Sequence, residues 1–258
     1  MTNSRNFGAA AGDYASHRAG FPDSLFERLA ALGIGANGER VADVGAGTGT
    51  LGRGFARRGC RVTAIDPDAR MLEQGRLLNA GAGVVIDDKV GSAEALPFDD
   101  GALDIVAAGQ SWHWFDAPAA AREFARVTRP GGYVLIAHFD WLPLPGTAVD
   151  ATEALIAAHN PAWRMGGGNG IHVASLPHLT AAGFGPFEMF AYDLVVPYTP
   201  GAWRGRIRAS VGVGASLSAE DVRAFDAALE RLLAERFPNP ILAIPHRVFA
   251  LVGVRQVR

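Results

Sequence analysis

The sequence is poor in cysteine, in long apolar runs and in excess charge of either sign, and each shortage excludes a class of protein. Cys60 is the only cysteine among 258 residues, which excludes an internal disulfide and fits a reducing compartment, the cytoplasm by default. No uncharged apolar run approaches the length needed to span a bilayer. The 24 basic and 26 acidic residues are spread along the chain, so there is no electrostatic footprint for nucleic acid.

Metal-ligand clusters, nucleophilic triads, internal repeats and low-complexity tails are also missing from the sequence. The first residues, MTNSRNFGAA, lack the basic start and apolar block of a secretory leader. We therefore expect no metal, no membrane and no nucleic-acid partner. What remains is a chain of 258 residues that is 49% hydrophobic, enough for one α/β domain with an elaboration or, less favoured, for two small domains.

The stretch VADVGAGTG, residues 41–49, organises the rest of the chain. Its first residues are typical of a buried strand, glycines follow at every second position (Gly45, Gly47 and Gly49), and good helix formers begin at Thr50. Glycine has no Cβ and reaches positive φ, so backbone N–H groups there can approach a polar ligand closely. A strand, a glycine turn and a helix N-terminus together predict a nucleotide-type crevice.

Two acids narrow the choice of ligand. Gly47, Gly49 and Gly52 also satisfy GxGxxG, the pattern of NAD-binding folds, so the glycines alone do not decide. Asp43 places a carboxylate two residues before the first glycine, which disfavours a pyrophosphate and suits a ligand with an ammonium group. Asp66 ends the second predicted strand, where an acid can hold two ribose hydroxyls, a need that both kinds of cofactor share.

Four segments in order resemble the class I S-adenosylmethionine-dependent methyltransferases. They are VADVGAGTG, AIDPD, GSAEALPFDDGALDIVAAGQSWHWFD and EFARVTRPGGYVLIA, and the resemblance runs from about Tyr14 to His138. It is specific to the small-molecule branch that includes the trans-aconitate methyltransferase-like proteins (methyltransferase type 11). The resemblance implies S-adenosylmethionine as cofactor and an α/β fold: a doubly wound, Rossmann-like seven-stranded sheet with the last strand antiparallel, plus a partly helical cap.

The resemblance also implies which residues contact the cofactor. They lie in an N-terminal lid, the glycine turn, the end of the second strand and two later loops: Tyr14, Arg18, Asp43, Gly45, Ala46, Gly47, Gly49, Asp66, Pro67, Met71, Ser92, Ala93, Glu94 and Gln110. Tyr14 and Arg18 are four apart, on one helical face, where an arginine suits a carboxylate; a surface helix is the alternative. The alternatives are core packing for Met71 and a turn with a helix cap for Ser92 and Glu94.

Two tryptophans flank a histidine where the predicted central strand 103–108 ends. In the resembled branch the His–Trp pair lies beside the transferable methyl, so Trp112 and Trp114 could wall the acceptor and His113 could act as a base. The alternative is a buried, hydrogen-bonded histidine with tryptophans that pack against the next helix. We assign these three residues as the catalytic candidates.

The remaining pattern predicts alternating strands and helices. Strands are predicted at 41–44, 61–65, 83–87, 103–108, 133–138, 187–196 and 241–254, the last broken at Pro245 and placed at the end of the sheet. We predict one methyltransferase domain, 1–258, with a cofactor-binding core at 1–140 and insertions at 141–175 and 198–238 that cap the acceptor site.

The predicted reaction is transfer of a methyl group to a small molecule. Because the sulfonium methyl is already activated, the protein must mainly align the reacting atoms and exclude water. The acceptor atom stays open among carboxylate, phenol, amine and activated carbon. Arg204, Arg206 and Arg208 would suit a carboxylate if they face the cleft, with a solvated helix as the alternative. An NAD(P)-dependent oxidoreductase and a non-catalytic S-adenosylmethionine-binding protein are the rival functions.

Overall fold

The structure is a computed structural model that describes residues 19–257. Its strands are β1 (Arg40–Val44), β2 (Arg61–Asp66), β3 (Asp87–Val90), β4 (Leu103–Gly109), β5 (Thr128–Trp141), β6 (Phe184–Tyr198) and β7 (Leu242–Arg255). They form one seven-stranded sheet in the order β3-β2-β1-β4-β5-β7-β6, with the last strand antiparallel. The predicted Rossmann-like sheet is confirmed.

Eight α-helices accompany the strands in the described part of the chain. They are α1 (Asp23–Ala31), α2 (Thr50–Ala56), α3 (Ala69–Gly81), α4 (Ala117–Val127), α5 (Ala148–His159), α6 (Leu176–Ala181), α7 (Pro200–Arg208) and α8 (Ala219–Arg236). None of these helices combines the length and the apolar character needed to cross a membrane.

The centre of the sheet is parallel, and its register brings apolar residues side by side. Val41 of β1 lies opposite Val62 of β2 on one side and Ile105 of β4 on the other. β2 also pairs with β3, and β4 with β5, in the same parallel sense. Strands covered on both faces are apolar along their length, and this is why β4 is apolar from Ile105 onwards. The parallel arrangement brings the carboxyl ends of β1, β2 and β4 to one edge.

Two of the predicted strands were wrong in position. The predicted strand 83–87 begins too early, because the Gly83 and Val84 N–H groups donate to Ala80 and Asn79 and close helix α3 instead. β7 is not broken at Pro245, since that residue's carbonyl still accepts from the Leu142 N–H. β7 also lies between β5 and β6 rather than at the end of the sheet.

The described residues divide into two compact units. The larger unit comprises 20–139, 172–192 and the chain from 248, and the smaller unit comprises Ala19, 140–171 and 193–247. Of the predicted insertions, 141–171 and 198–238 lie in the smaller unit and 172–175 in the larger. Their role as a cap stays a prediction, as does the single-domain boundary.

Each unit has its own hydrophobic core. In the larger unit, Val44, Ile65 and Val106 of the parallel strands pack with Phe124 of α4 and Phe249 of β7. The core of the smaller unit joins helices α5, α7 and α8, with the following fully buried side chains: Ile156, Trp203, Ile207, Phe225 and Leu229. Burial of apolar side chains in each set is the main stabilising contribution.

Candidate active site

The glycine turn follows β1 in an unusual backbone conformation. Gly45, Gly47 and Gly49 have φ of 65°, 56° and 79°, in the left-handed region that favours glycine. Two backbone hydrogen bonds hold the turn: the Ala46 N–H donates to Ile65 O over 3.0 Å, and the Gly49 N–H to Ala46 O over 2.8 Å. Gly49 is the N-cap of α2, so the turn feeds a helix N-terminus, as predicted.

The three glycines face different neighbours. A Cβ on Gly45 would lie 2.6 Å from Ser111 Cβ and 3.1 Å from Phe115, so the protein's own side chains fill that space. A Cβ on Gly47 would meet only Met71 Cε, at 3.4 Å, which is ordinary van der Waals contact. The bare backbone available to a ligand is therefore at Gly47, whereas Gly45 is required for internal packing.

Asp43 lies buried beneath the turn, with 1% of its surface exposed. Its Oδ2 accepts a hydrogen bond of 2.8 Å from the Gly52 N–H of helix α2. Its Oδ1 has no hydrogen-bond partner among the described residues. Burial raises the pKa of the Asp43 carboxyl to about 7, against the lowering effects of the Gly52 N–H and the Arg53 guanidinium. A carboxylate with an unused buried oxygen is a group that a positively charged ligand would stabilise.

Asp66 lies at the end of β2 and fastens that strand to the turn. Its Oδ2 accepts from the Gly47 N–H over 2.8 Å, and its Oδ1 accepts from the Asp68 N–H over 2.9 Å. Burial raises the pKa of the Asp66 carboxyl, while these two backbone N–H groups oppose the rise. Each carboxylate oxygen has a second lone pair, so both can accept from a ligand's hydroxyl groups as well.

Arg53 also belongs to this candidate site, although the sequence analysis did not predict it. Its guanidinium donates to Thr48 O, within the turn, and to Asn79 Oδ1 of α3 over 3.1 Å. Burial lowers the pKa of Arg53, and the nearby Asp43 opposes this effect. The arginine therefore ties the turn to two helices and offsets part of the charge of Asp43. Nothing in its sequence position, on an ordinary helical segment, singled it out.

The residues predicted to contact a base lie along α3 and the loop after β3. Met71 is buried, with its methyl group beside Gly47, and Pro67 directly follows Asp66. Ala93 is buried, and the carbonyl of Ser92 accepts from the Ala95 N–H in a short turn. Glu94 Oε1 accepts from the Asp116 N–H over 3.0 Å. This bond to Asp116 favours the turn interpretation for Glu94.

Gln110 follows β4 with a φ of 56°, the only positive φ of a non-glycine residue among those described. Such a conformation costs on the order of 1–3 kcal/mol and is typical of functional sites. The Gln110 side chain donates to Phe139 O over 2.7 Å. The neighbouring Ser111, which was not predicted, donates from its hydroxyl to Val44 O over 2.8 Å and packs against Gly45. These two residues fix the loop after β4 against the glycine turn.

The three catalytic candidates differ in exposure. Trp112 is 7% exposed and packs edge-on against Phe115 and Phe124, as a core residue does. Trp114 is 44% exposed, and its ring centroid lies 4.4 Å from that of His113. The structure thus brings Trp112 into the core, whereas His113 and Trp114 are exposed. Their catalytic roles stay predictions.

His113 lies in a group of three histidine rings, with His138 and His172, that the sequence analysis did not predict. The His113 and His138 ring centroids lie 6.1 Å apart, and His138 stacks on His172 at 3.5 Å with an angle of 9° between the rings. His172 in turn lies edge-on to Phe249. His138 was assigned to β5 from the pattern, but His172 is remote in sequence, so only the folded chain brings the rings together.

The remaining predicted residues are Tyr14 and Arg18 of the N-terminal lid and three arginines of α7. Tyr14 and Arg18 lie outside the described residues. In the smaller unit, Arg204 and Arg208 form ion pairs with Asp226 of α8. Arg206 instead packs its guanidinium over the ring of Trp141, 4.7 Å from the centroid. The three arginines therefore do not act as one group.

The fold and the site define a class of protein. A doubly wound sheet carries its glycine turn at the carboxyl end of β1, and an acid at the end of the neighbouring β2 binds the turn. Open α/β sheets bind their ligands at this edge. The architecture is Rossmann-like, and this edge is where folds of that class hold nucleotide-type cofactors.

The family follows from the sequence of that same unit. Residues 42–136 match the family described as methyltransferase domain. This stretch contains the glycine turn, Asp43, Asp66 and the loop after β4. Residues 42–136 are therefore similar to a methyltransferase domain, and over this stretch the resemblance seen in the sequence is confirmed.

Curated relatives and solved structures agree with this result. The chain is 40% identical over 129 residues to an uncharacterized methyltransferase of Mycobacterium tuberculosis, across 50% of each chain. It is 38% identical over 130 residues to the malonyl-[acyl-carrier protein] O-methyltransferase of Serratia marcescens, across 50% of this chain and 49% of that one. The chain therefore spans about half the length of the curated relatives it matches.

A solved structure of an N-methyltransferase of Haemonchus contortus, in complex with phosphomonomethylethanolamine and S-adenosylhomocysteine, shares the fold. The TM-score is 0.59 at 16% identity, over 100% of this chain and 61% of that one.

Proposed function

We propose that this protein transfers a methyl group from S-adenosylmethionine to a small-molecule acceptor, in the reducing compartment that the lone Cys60 suggests. The observation that carries the proposal is the glycine turn between two buried acids. Asp43 lies beneath the turn with a carboxylate oxygen that has no partner among residues 19–257, and Asp66 binds the turn from the end of β2. The methyltransferase-domain match over 42–136 supports the same conclusion.

The charge of the site favours a sulfonium cofactor over a dinucleotide. A dinucleotide would bring a pyrophosphate, with its negative charges, close to the carboxylates of Asp43 and Asp66. S-adenosylmethionine brings a sulfonium and an ammonium group, both of which a carboxylate stabilises. Arg53 offsets only part of this preference, because the turn has one guanidinium against the two carboxyl groups of Asp43 and Asp66.

The residues of the turn fit the parts of such a cofactor. We assign the ribose hydroxyls to Asp66, the methionine moiety to the bare backbone at Gly47 and the adenine to the apolar surface of Met71 and Ala93. The assignment of Tyr14 and Arg18 to the carboxylate of the cofactor comes from the resemblance alone. The Haemonchus contortus neighbour binds S-adenosylhomocysteine on the same fold, which supports the choice of cofactor.

The chain's own contribution to the reaction is alignment rather than acid–base chemistry. When bound, S-adenosylmethionine supplies a methyl group that is already activated by its sulfonium. The residues after β4 are fixed in place, since Gln110 bonds to Phe139 O and Ser111 to Val44 O. We assign Trp114 to contact with the acceptor, and His113 to accept a proton where the acceptor releases one.

Calorimetry with the purified protein tests the cofactor. We expect S-adenosylmethionine and S-adenosylhomocysteine to bind and NAD to give no heat of binding. Binding of NAD alone would overturn the proposal in favour of an oxidoreductase.

Methyl transfer is tested separately, with methyl-labelled S-adenosylmethionine and a metabolite pool, on the wild type and the variants His113→Ala and Trp114→Ala. Cofactor binding without any labelled product would indicate a non-catalytic binding protein.

A further inference from the structure

The three arginines of α7 have different electrostatic partners. Arg204 donates to Asp226 and Glu230 of α8, and Arg208 donates to Asp226. Among the described residues, no carboxylate forms a hydrogen bond or an ion pair with Arg206. Asp140 acts on it only at longer range. Arg206 is therefore the arginine of this helix with unused hydrogen-bonding capacity.

Arg206 is held against a rigid aromatic surface. Its guanidinium lies 4.7 Å from the centroid of the Trp141 ring. Trp141 is fixed in turn, because its Nε1–H donates to Glu153 over 2.7 Å and its ring packs edge-on against Trp203 at 5.4 Å. The side chain of Arg206 is thus restrained although no carboxylate among the described residues bonds to it, which lowers the entropic cost of binding an anion.

Arg206 is partly buried and partly exposed to solvent. The residue is half-buried, and burial lowers the pKa of its guanidinium, which nevertheless stays charged at any physiological pH. A charge taken partly out of water without a hydrogen-bonded counter-ion is costly. A ligand anion that reaches its exposed part would relieve that cost.

Tyr198 supplies a further donor in the same unit. Its hydroxyl oxygen accepts from the Ala19 N–H over 3.2 Å, which leaves the hydroxyl hydrogen available to donate. The Tyr198 ring packs edge-on against Trp203 at 5.5 Å and parallel to His246 at 6.3 Å. Trp203 contacts both Tyr198 and Trp141, the ring that Arg206 covers, so Tyr198 belongs to the same group of aromatic side chains as the Arg206 contact.

The geometry favours a carboxylate over a phosphate. The planar guanidinium presents paired N–H groups that match the two oxygens of a carboxylate, and its contact with Trp141 covers a face while leaving the N–H edges in plane. The negative charge of Asp140 nearby also disfavours a dianion more than a monoanion. The aromatic side chains Trp141, Tyr198 and Trp203 suit an apolar body attached to that carboxylate.

We propose that the smaller unit binds a carboxylate-bearing small molecule, with Arg206 as the bidentate receptor of the carboxylate and Tyr198 as an additional donor. We expect this binding without S-adenosylmethionine, so the inference is independent of the proposed function.

Calorimetric titrations of the full chain without S-adenosylmethionine test the site. The probes are sodium acetate, sodium benzoate, inorganic phosphate and benzamide, which matches benzoate in shape but has no charge. We expect benzoate to bind at least about tenfold more tightly than benzamide and phosphate, a difference of about 1.4 kcal/mol. Arg206→Met should remove this preference, and Tyr198→Phe should weaken benzoate binding severalfold.

The matched control is Arg204→Met, which alters the same helix but a residue already paired with Asp226. It should keep the affinity for benzoate within about twofold. Should Arg206→Met fail to fold, Arg206→Lys, which keeps the charge without the planar fork, should weaken benzoate binding at least about threefold.

Four results would overturn the inference: no binding of either carboxylate, equal binding of benzamide, tighter binding of phosphate, or unchanged benzoate affinity in both Arg206 variants. The cofactor titrations separate this inference from the proposed function. Benzoate binding that depends on Arg206, without binding of S-adenosylmethionine, would keep the site and reject the methyltransferase assignment.

Discussion

Asp43 and Asp66 show how position changes the chemistry of one residue type. Both carboxyls are buried and both have a raised pKa. Asp66 engages both of its oxygens with backbone N–H groups, whereas one oxygen of Asp43 has no partner in the described part of the chain. Asp66 is therefore suited to accept hydrogen bonds from neutral hydroxyls. Asp43 is suited to act through its charge.

The first prediction concerns Asp66. We expect Asp66→Ala to weaken S-adenosylmethionine binding by about 1–3 kcal/mol, because the ribose hydroxyls would lose their acceptors on burial. Calorimetry measures the change, with Asp88→Ala as the control. Asp88 also lies on a strand at this side of the sheet, but it pairs with Arg76 at the surface. Equal affinities for wild type and Asp66→Ala would remove this residue from the site.

The buried Asp43 should make the unfolding free energy of the ligand-free protein depend on pH. Its pKa in the folded protein, about 7, lies above the ordinary value of 3.8, so its contribution to stability is fully present below pH 3.8 and is lost as the pH rises towards 7. Asp43→Asn imitates the protonated form and does not titrate. Between pH 5 and pH 7 the variant should therefore gain on the order of 2–3 kcal/mol in unfolding free energy relative to wild type.

Urea unfolding at the two pH values measures this gain, and the difference between variant and wild type cancels the titration of other groups. A difference that does not change with pH would show that Asp43 is ionised throughout the range in the folded protein.

At the scale of secondary-structure elements, the glycine turn has two separate structural roles. Gly47 leaves backbone bare beside Met71, whereas Gly45 makes room for Ser111 and Phe115 of the loop after β4. The sequence pattern treats these glycines as equivalent because all share the same spacing. Their difference arises only when β4, adjacent to β1 in the sheet, places its following loop against the turn.

Gly45→Ala should destabilise the fold more than a glycine substitution that costs only backbone strain. Gly38 is the matched control, since its φ is 87° and an added Cβ would meet nothing within 4 Å. We expect Gly38→Ala to cost about 1–2 kcal/mol and Gly45→Ala about 1–3 kcal/mol more, because its Cβ would lie 2.6 Å from Ser111 Cβ.

Denaturant unfolding of both variants measures the two costs. The double variant Gly45→Ala, Ser111→Gly should recover part of the extra loss, since it removes the overlapping Cβ. Equal destabilisation by Gly38→Ala and Gly45→Ala would contradict the packing role of Gly45.

At the scale of the whole molecule, the chain folds as two units, each with its own core and its own buried charges. The larger unit holds the glycine turn, Asp43 and Asp66. The smaller unit holds Arg206, Tyr198 and His246. The proposed cofactor chemistry and the proposed carboxylate site therefore make independent predictions, and each unit has a buried group that responds to pH.

The buried His246 should make the smaller unit less stable at acidic pH. Burial lowers its pKa to about 4 from the ordinary 6.5, so its contribution to stability is present above pH 6.5 and is lost as the pH falls towards 4. His246→Phe keeps a ring beside Tyr198 but cannot be protonated. Between pH 7 and pH 4.5, wild type should lose on the order of 2 kcal/mol relative to this variant in denaturant unfolding. Parallel loss in both proteins would show that His246 does not titrate in this way.

Local sequence determined the parallel core of the sheet, the glycine turn and the two acids beside it, because strand and turn patterns depend on neighbours in the chain. The local pattern misplaced β3 and β7. The predicted start of β3 belongs to the end of helix α3, and β7 keeps its hydrogen bonding at Pro245. Only the tertiary structure separated Arg206 from Arg204 and Arg208, added Arg53 and Ser111 to the turn, and brought His138 against His172. Whether a side chain is buried, paired or left without a partner depends on residues distant in sequence, and spacing along the chain carries no record of them.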